Sequence, residues 1–369
     1  MKILFTGGGT GGHIFPIIAI AREIRRRKPK DKLEFFYLGP KDEFASILLS
    51  QEGINVKTIF AGKIRRYFSF KNFIDIFKIL IGIPQAFFYI FFSTPDLIFS
   101  KGGYGSFPVV LSGWLLRVPI FLHESDTVPG LTNKILGKFA LEIFVSFPRT
   151  DFFSPKKMIL TGNPIRKEIL EGVKEKSNEL FNLSGERPVI LILGGSQGAQ
   201  KINDVLLIIL PEMLKEFEII HQCGEKNFKQ VKAEANTVIP EELRKYYHIF
   251  PFLRESEMAH AYQVSDIIIS RAGSGSIFEI AAAGKPSILI PLKTAAQNHQ
   301  IKNAYQYARL GAAIVIEEEN LTAHFFLKKI NYLIAHPNDI ENMKKKAKEF
   351  SQPKAAKIIA EYIVEYLSK

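Results

Sequence analysis

An α/β protein of two Rossmann-like, doubly wound domains facing across a cleft is what this sequence predicts, and three observations predict it. An apolar run, a glycine-rich loop and a helical pattern follow one another at residues 2–26, and the same plan returns at residues 189–199. Further strand-to-glycine-turn passages stand near residues 96–108 and 266–276, and 369 residues is the length of two domains. Turn chemistry in Thr161-Gly162-Asn163-Pro164-Ile165-Arg166 marks the boundary. Residues 1–162 are then the N-terminal domain, 163–345 the C-terminal domain, and 346–369 a terminal helix packing back on the first.

Composition narrows the class. With 47% hydrophobic and 23% charged residues the chain is neither disordered nor fibrous. Its one cysteine, Cys223, follows an apolar run and reads as a core residue, so no disulfide framework exists and a reducing compartment is expected. The start, MKILF, runs straight into a glycine loop without a secretory signal pattern, which points to the cytoplasm. Residues 1–160 hold 22 Lys and Arg against 12 Asp and Glu, a balance of +10, whereas 161–369 hold 27 against 25, a balance of +2. A cationic first half fits nucleic acid or an anionic membrane, with solubility as the plain alternative.

The first strand, residues 2–5, ends in Gly7-Gly8-Gly9-Thr10-Gly11-Gly12-His13, and a helix follows over 14–26. Gly7, Gly9 and Gly12 satisfy G-x-G-x-x-G. A dinucleotide fold would also need an acid at the end of the second strand, residues 33–38, where Gly39-Pro40 stands instead. His13 is the titratable side chain of the loop. Near a helix N-terminus its imidazole is held neutral and can serve as a base, unless it only bonds a neighbouring carbonyl.

Residues 62–92 mix Lys63, Arg65, Arg66, Lys71 and Lys78 with a dense aromatic and aliphatic set. The uncharged part, 79–92, is 14 residues long and contains Gly82 and Pro84, short of the roughly 20 that a spanning helix needs. A core helix pair and a partly exposed membrane-facing patch both fit, and the number of cations favours the patch.

After a strand at 96–99, Lys101-Gly102-Gly103-Tyr104-Gly105-Ser106 forms a second glycine turn, with Gly103 and Tyr104 placed to meet a substrate, and a helix at 109–116. Two such loops on one sheet can face one anionic ligand. The strand 119–122 delivers His123-Glu124-Ser125-Asp126 to the same edge before the helix 132–139, and either acid is a second candidate base, or merely loop and capping chemistry.

In the second half a charged helix (167–182) precedes the strand 189–193, the loop Gly194-Gly195-Ser196-Gln197-Gly198-Ala199, and strands near 219–222, 249–253 and 266–269. The loop lacks the G-x-x-x-x-G-K-[ST] pattern of ATP-hydrolysing proteins. From Ser270 to Ala304 a loop of small residues enters a helix at Ile277, which stops at Gly284 before the strand 286–290. Such a loop suits phosphate on helix amides. Glu279, in the first helical turn, is suited to a ribose diol or, with Ser276, to a capping box, and these residues alone fit both. Gln297, Asn298, His299, Gln300 and Asn303 then cluster where open sheets bind ligands. Residues 341–369 read as a basic, then amphipathic, helix pair. Neither HExxH, a cysteine pair nor a D-x-D is present, so no metal and no cofactor is expected, and without an acid and a His matched to a G-x-S-x-G pattern a serine nucleophile is not expected.

Together GGGTGGH (7–13), KGGYGS (101–106), HESDTVPGLTNK (123–134), TGNPIR (161–166), GGSQGA (194–199) and the 270–304 stretch resemble the MurG family. These are the bacterial peptidoglycan enzymes that carry GlcNAc from UDP-GlcNAc to undecaprenyl-pyrophosphoryl-MurNAc-pentapeptide, lipid I, making lipid II. The likeness runs through both halves in order. It implies a GT-B fold, with lipid I and the membrane on the N-terminal domain and UDP-GlcNAc on the C-terminal one. The substrate-binding positions it implies are Thr10, Gly11, Gly12, Arg166, Ser196, Leu253, Ser274, Gly275, Ser276, Ile277, Phe278, Glu279 and Gln300. One departure is Asp126 where many members have Asn, and His299 stands where some have Gln.

The activity implied is an inverting transfer: the MurNAc C4 hydroxyl attacks C1 opposite the leaving UDP, a base among His13, Glu124 and Asp126 takes its proton, and helix N-termini with Arg166 receive the diphosphate charge. Expected partners are UDP-GlcNAc, lipid I, an anionic membrane surface and other cell-wall synthesis and division proteins, with no nucleic acid. The expected location is peripheral, on the cytoplasmic face of the plasma membrane. A UDP-GlcNAc 2-epimerase would need no lipid surface, and a nucleotide-sugar sensor would need no base.

Overall fold

Strands buried on both faces read as near-continuous apolar runs, and those at 3–5, 97–99, 189–193 and 267–269 are of that kind. The computed structural model describes the chain except residues 9–10, 30–31, 64–69, 149–151 and 196–197. It divides into two units, Met1–Arg166 with Gln352–Lys369, and Lys167–Ser351.

In the first unit, β1 (Lys2–Thr6), β2 (Glu34–Gly39), β3 (Asn55–Thr58), β4 (Leu97–Ser100), β5 (Ile120–Glu124), β6 (Glu142–Val145) and β7 (Met158–Leu160) form one parallel sheet ordered β3-β2-β1-β4-β5-β6-β7. Alternation divides its core. Ile3 and Phe5 face the helices Gly11–Arg27 and Ala355–Leu367, while Leu4 faces Ala86, Ile90, Val109 and Val110 on the other side. The terminal helix presents Ala356, Ile359, Ala360 and Ile363 at helical spacing, and Tyr362 donates to Glu142 at 2.9 Å.

In the second unit, β8 (Val189–Leu193), β9 (Glu218–Gln222), β10 (Tyr247–Phe250), β11 (Ile267–Ser270), β12 (Ser287–Leu289) and β13 (Ala313–Val315) repeat the plan in the order β10-β9-β8-β11-β12-β13, again all parallel. Cys223 lies in its core. The expected boundaries move. The cut at 162 shifts to Arg166, because Arg166 is stacked 3.8 Å over Phe15 of the first unit. The cut at 345 shifts to Ser351, because the helix Pro337–Phe350 is unbroken and its Phe350 packs on Phe278. The charged helix expected at 167–182 is a 3₁₀ turn, Lys167–Leu170, followed by the helix Lys174–Phe181.

The largest correction concerns residues 62–92. Gly82 and Pro84 do not break the segment. It is one 24-residue helix, Phe70–Ser93, and Asn72–Ser93 within it is long and apolar enough to cross a membrane. Both ends feed strands of one sheet, however, and one side packs on the helix Phe107–Leu115, where Ser112 donates to the Ile83 carbonyl at 3.0 Å. Gly82 is there because a Cβ would run into the Phe60 carbonyl. Only 17% of the most apolar window is buried. Phe70, Phe73, Phe77, Leu80, Phe88, Phe91 and Phe92 are exposed, and Lys78 pairs with the buried Asp75 at 3.2 Å. Arg65 and Arg66 lie outside the described residues, as does the Lys71 side chain.

Candidate functional site

Each sheet reverses its strand order beside its first strand, and open α/β sheets bind ligands at such a switch point, outside the carboxyl ends of the strands. In the first unit that point lies between β1 and β4, where Thr6 pairs with Ser100. The two glycine loops leave from here. Tyr37 supports one from below, its hydroxyl donating to the Gly7 carbonyl at 3.1 Å. Helix geometry begins at Gly11, so Gly11, Gly12 and His13 form its first turn, with Gly12 exposed.

His13 is held by backbone on two sides. A Cβ on Gly8 would stand 3.0 Å from its Nδ1, and a Cβ on Gly103 would stand 3.0 Å from its Nε2. Gly103 has φ 82° and ψ 167°, a region that only glycine occupies at ease. Tyr104 follows it, its hydroxyl pushed up by burial and by Asp42 and Asp75. Gly103→Ala is therefore expected to displace the imidazole and lower kcat by about tenfold to a hundredfold. A kcat within twofold of the parent in a folded Gly103→Ala protein would show that the contact does not position His13.

At the end of β5 the side chains turn inward. Glu124 is 2% exposed, accepting from the Asp126 amide at 2.9 Å and from Asn133 Nδ2 at 2.8 Å. Burial and the neighbouring Asp126 push its carboxyl up to about 7. His123 lies beside the Gly162 carbonyl at 3.2 Å, and burial with the Lys101 cation pushes its imidazole well down, so it is neutral. Asp126 is partly exposed. Lys101 completes this cluster, yet nothing in the sequence reading singled it out. A cation directly after an apolar strand at the switch point is the signal that was there to be read.

In the second unit the switch point lies between β8 and β11, where Leu193 pairs with Ser270. A Cβ on Gly195, Gly273 or Gly275 would meet nothing within 4 Å, so this backbone is open to close approach. The helix opens at Ser274 rather than Ile277 and is capped by Gly273 with no side-chain bond. Two consequences follow. The amides of Gly275 and Ser276 fall in the first turn, where a helix supplies no acceptor of its own. Glu279 moves to the sixth position, in the second turn, which removes the capping box, and it accepts from the Tyr262 hydroxyl at 3.2 Å. Ile277 and Phe278 point into the core, leaving only their backbone for a ligand. Leu253 is likewise core, its amide donating to Gln222 Oε1 at 3.0 Å. Gln300 accepts from the Leu292 amide at 2.9 Å and so orders the loop after β12, in which Gln297 and Asn298 take left-handed φ of 58° and 54°.

The structure thus brings Gly11, Gly12, His13, Gly103, Tyr104, Glu124 and Asp126 to one sheet edge, and Ser274, Gly275, Ser276, Glu279 and Gln300 to the other unit's edge. Arg166 is buried in the first unit, over Phe15. Thr10 and Ser196 lie outside the described residues.

Residues 3–145 match the glycosyltransferase family 28 N-terminal domain, and residues 189–359 the family's C-terminal domain. A Bacillus cereus UDP-N-acetylglucosamine–N-acetylmuramyl-(pentapeptide) pyrophosphoryl-undecaprenol N-acetylglucosamine transferase is 40% identical, with 99% of each chain covered. Its Clostridium tetani counterpart is 39% identical over 93% of each. Among solved structures, Acinetobacter baumannii MurG superposes with a TM-score of 0.74 at 26% identity, covering 99% of each chain. A Neisseria meningitidis UDP-GlcNAc 2-epimerase shares the fold at 16% identity, with a TM-score of 0.70 and coverage of 99% of this chain and all of that one.

Proposed function

This chain belongs to glycosyltransferase family 28 and, within it, to the MurG transferases, and from that premise we propose that it moves GlcNAc from UDP-GlcNAc to the lipid-linked MurNAc-pentapeptide, lipid I, to give lipid II in peptidoglycan synthesis. The observation that carries this reading is the 40% identity to a transferase of that name over 99% of both chains. The arrangement of each switch point agrees with it. Open backbone at Gly195, Gly273 and Gly275 with the first amides of the Ser274–Ala283 helix suits the UDP diphosphate. Glu279, fixed by Tyr262, suits the ribose diol.

Of the three candidate bases, His13 fits best. Its ring is partly exposed and neutral imidazole accepts a proton from the attacking hydroxyl. Both Glu124 oxygens already accept hydrogen bonds inside the protein. Asp126, on the partly exposed turn after β5, is assigned to acceptor contact. Arg166, held over Phe15, supports the helix that carries His13. The apolar face of Phe70–Ser93 gives the first unit a lipid-docking surface and so a peripheral place on the membrane that holds the acceptor.

The test is to incubate the protein with radiolabelled UDP-GlcNAc and a lipid I analogue, with and without EDTA. Label in the lipid product at equal rates is expected; conversion of the sugar nucleotide alone, or none, overturns the reading. Glu279→Gln keeps an acceptor for Tyr262 but weakens diol binding. It is expected to raise the donor KM about tenfold while the melting temperature scarcely moves. An unchanged KM with lost stability would make Glu279 a structural residue.

A further inference from the structure

Lys101 is 1% exposed, and its Nζ has no hydrogen-bond partner. A buried ammonium is costly unless a counter-charge compensates it. The neighbouring groups are known. Glu124 and Asp126, from the end of β5, attract it, and with burial it keeps His123 on the same strand neutral. Its own backbone amide is fixed to the Thr6 carbonyl at 2.8 Å, and Gly102, next to it, packs against the Asn133 amide that donates to Glu124. Two carboxylates at the end of β5 thus act on this enclosed cation from the strand beside it, where Ser100 pairs with Leu122.

We propose that Lys101 is a positioning residue of the transfer reaction: its enclosed ammonium is the counter-charge that keeps the Glu124 carboxylate ionised, so that Glu124 goes on accepting from the Asp126 amide and Asn133 and fixes the turn carrying Asp126. This deepens the proposed function and rests on it. Burial and Asp126 push the Glu124 carboxyl up, while the hydrogen bonds from the Asp126 amide and Asn133, and with them the Lys101 cation, draw it down; burial in turn brings the Lys101 ammonium down, to about 8. Without Lys101 the raising influences of burial and Asp126 are opposed only by the hydrogen bonds from the Asp126 amide and Asn133. Glu124 then binds a proton at neutral pH and one of its oxygens stops accepting.

Lys101→Met keeps the bulk and removes the charge. The acidic limb of kcat/KM for the acceptor is expected to move up by about one to two pH units, with activity lost at pH 7 regained at higher pH and the donor KM unchanged. In a Glu124→Gln background the same change should cost less than about twofold, because Lys101 acts through Glu124. Should Lys101→Met not fold, Lys101→Gln is expected to show the same limb shift. An unmoved limb, or an equal loss in both backgrounds, overturns the proposal. Infrared titration reads the group without substrate: a protonated carboxyl band that persists above pH 8 in the parent and vanishes in Glu124→Gln also overturns it. Failure of the parent to transfer GlcNAc would count against the proposed function instead, and the infrared result would stand apart from it.

Discussion

His13→Ala is expected to lower kcat by about 10² to 10⁴ while UDP affinity stays nearly unchanged, the range for loss of a general base. The separation of the two effects comes from the fold. His13 is in the first turn of the helix after β1, in the first unit, whereas the residues proposed for the nucleotide lie in the second. The change should leave the fold intact, since the ring rests on the backbone of Gly8 and Gly103 rather than in either hydrophobic cluster of its unit. Turnover at the parent rate would exclude His13 as the base. A matched fall in UDP affinity would instead place it at the donor.

Phe73→Glu with Phe77→Glu is expected to weaken binding to anionic vesicles by about 10² to 10⁴. The two rings meet edge to face at 4.9 Å on the exposed side of the Phe70–Ser93 helix. Each aromatic side chain taken out of water contributes about 1.5–3 kcal/mol, so two account for that range. Neutral vesicles should bind less than anionic ones, and about 0.5 M salt should release much of the protein because the Debye length falls to a few ångströms. Activity on a short-chain soluble acceptor should survive. Vesicle binding that ignores the substitutions would show that this face meets something other than lipid, and an unfolded double variant would show that it is core.

What the sequence disclosed and what it hid follow from burial. β1, β4, β8 and β11 carry unbroken apolar runs of three to five residues because both of their faces are covered, and they can be read directly. β3 and β13 sit at sheet edges, and β3 is polar and exposed, so the pattern that marks a strand is missing. Gly82 and Pro84 look like helix breakers in a linear reading. In the fold Gly82 makes room for the Phe60 carbonyl, and the Ile83 carbonyl is met by Ser112 from another helix. The glycine loops were legible because phosphate-compatible backbone needs small residues. Lys101 was not, since one cation in a glycine turn reads as solvated until β4 is known to be central. Ser276 and Glu279 have capping-box spacing, yet a helix opening at Gly273 takes them out of register for it.

The helix Ala355–Leu367 closes the core of the unit that opens the chain. As the polypeptide leaves the ribosome, Lys167–Ser351 is a contiguous stretch and can complete its own packing first. The earlier-made unit meanwhile lacks the last part of its core, with Phe121 and Phe144 waiting for Tyr362 and the apolar face of Ala356, Ile359, Ala360 and Ile363. The order of synthesis is therefore the reverse of the order of completion. The interval between them is when this unit is most exposed to aggregation and to chaperones.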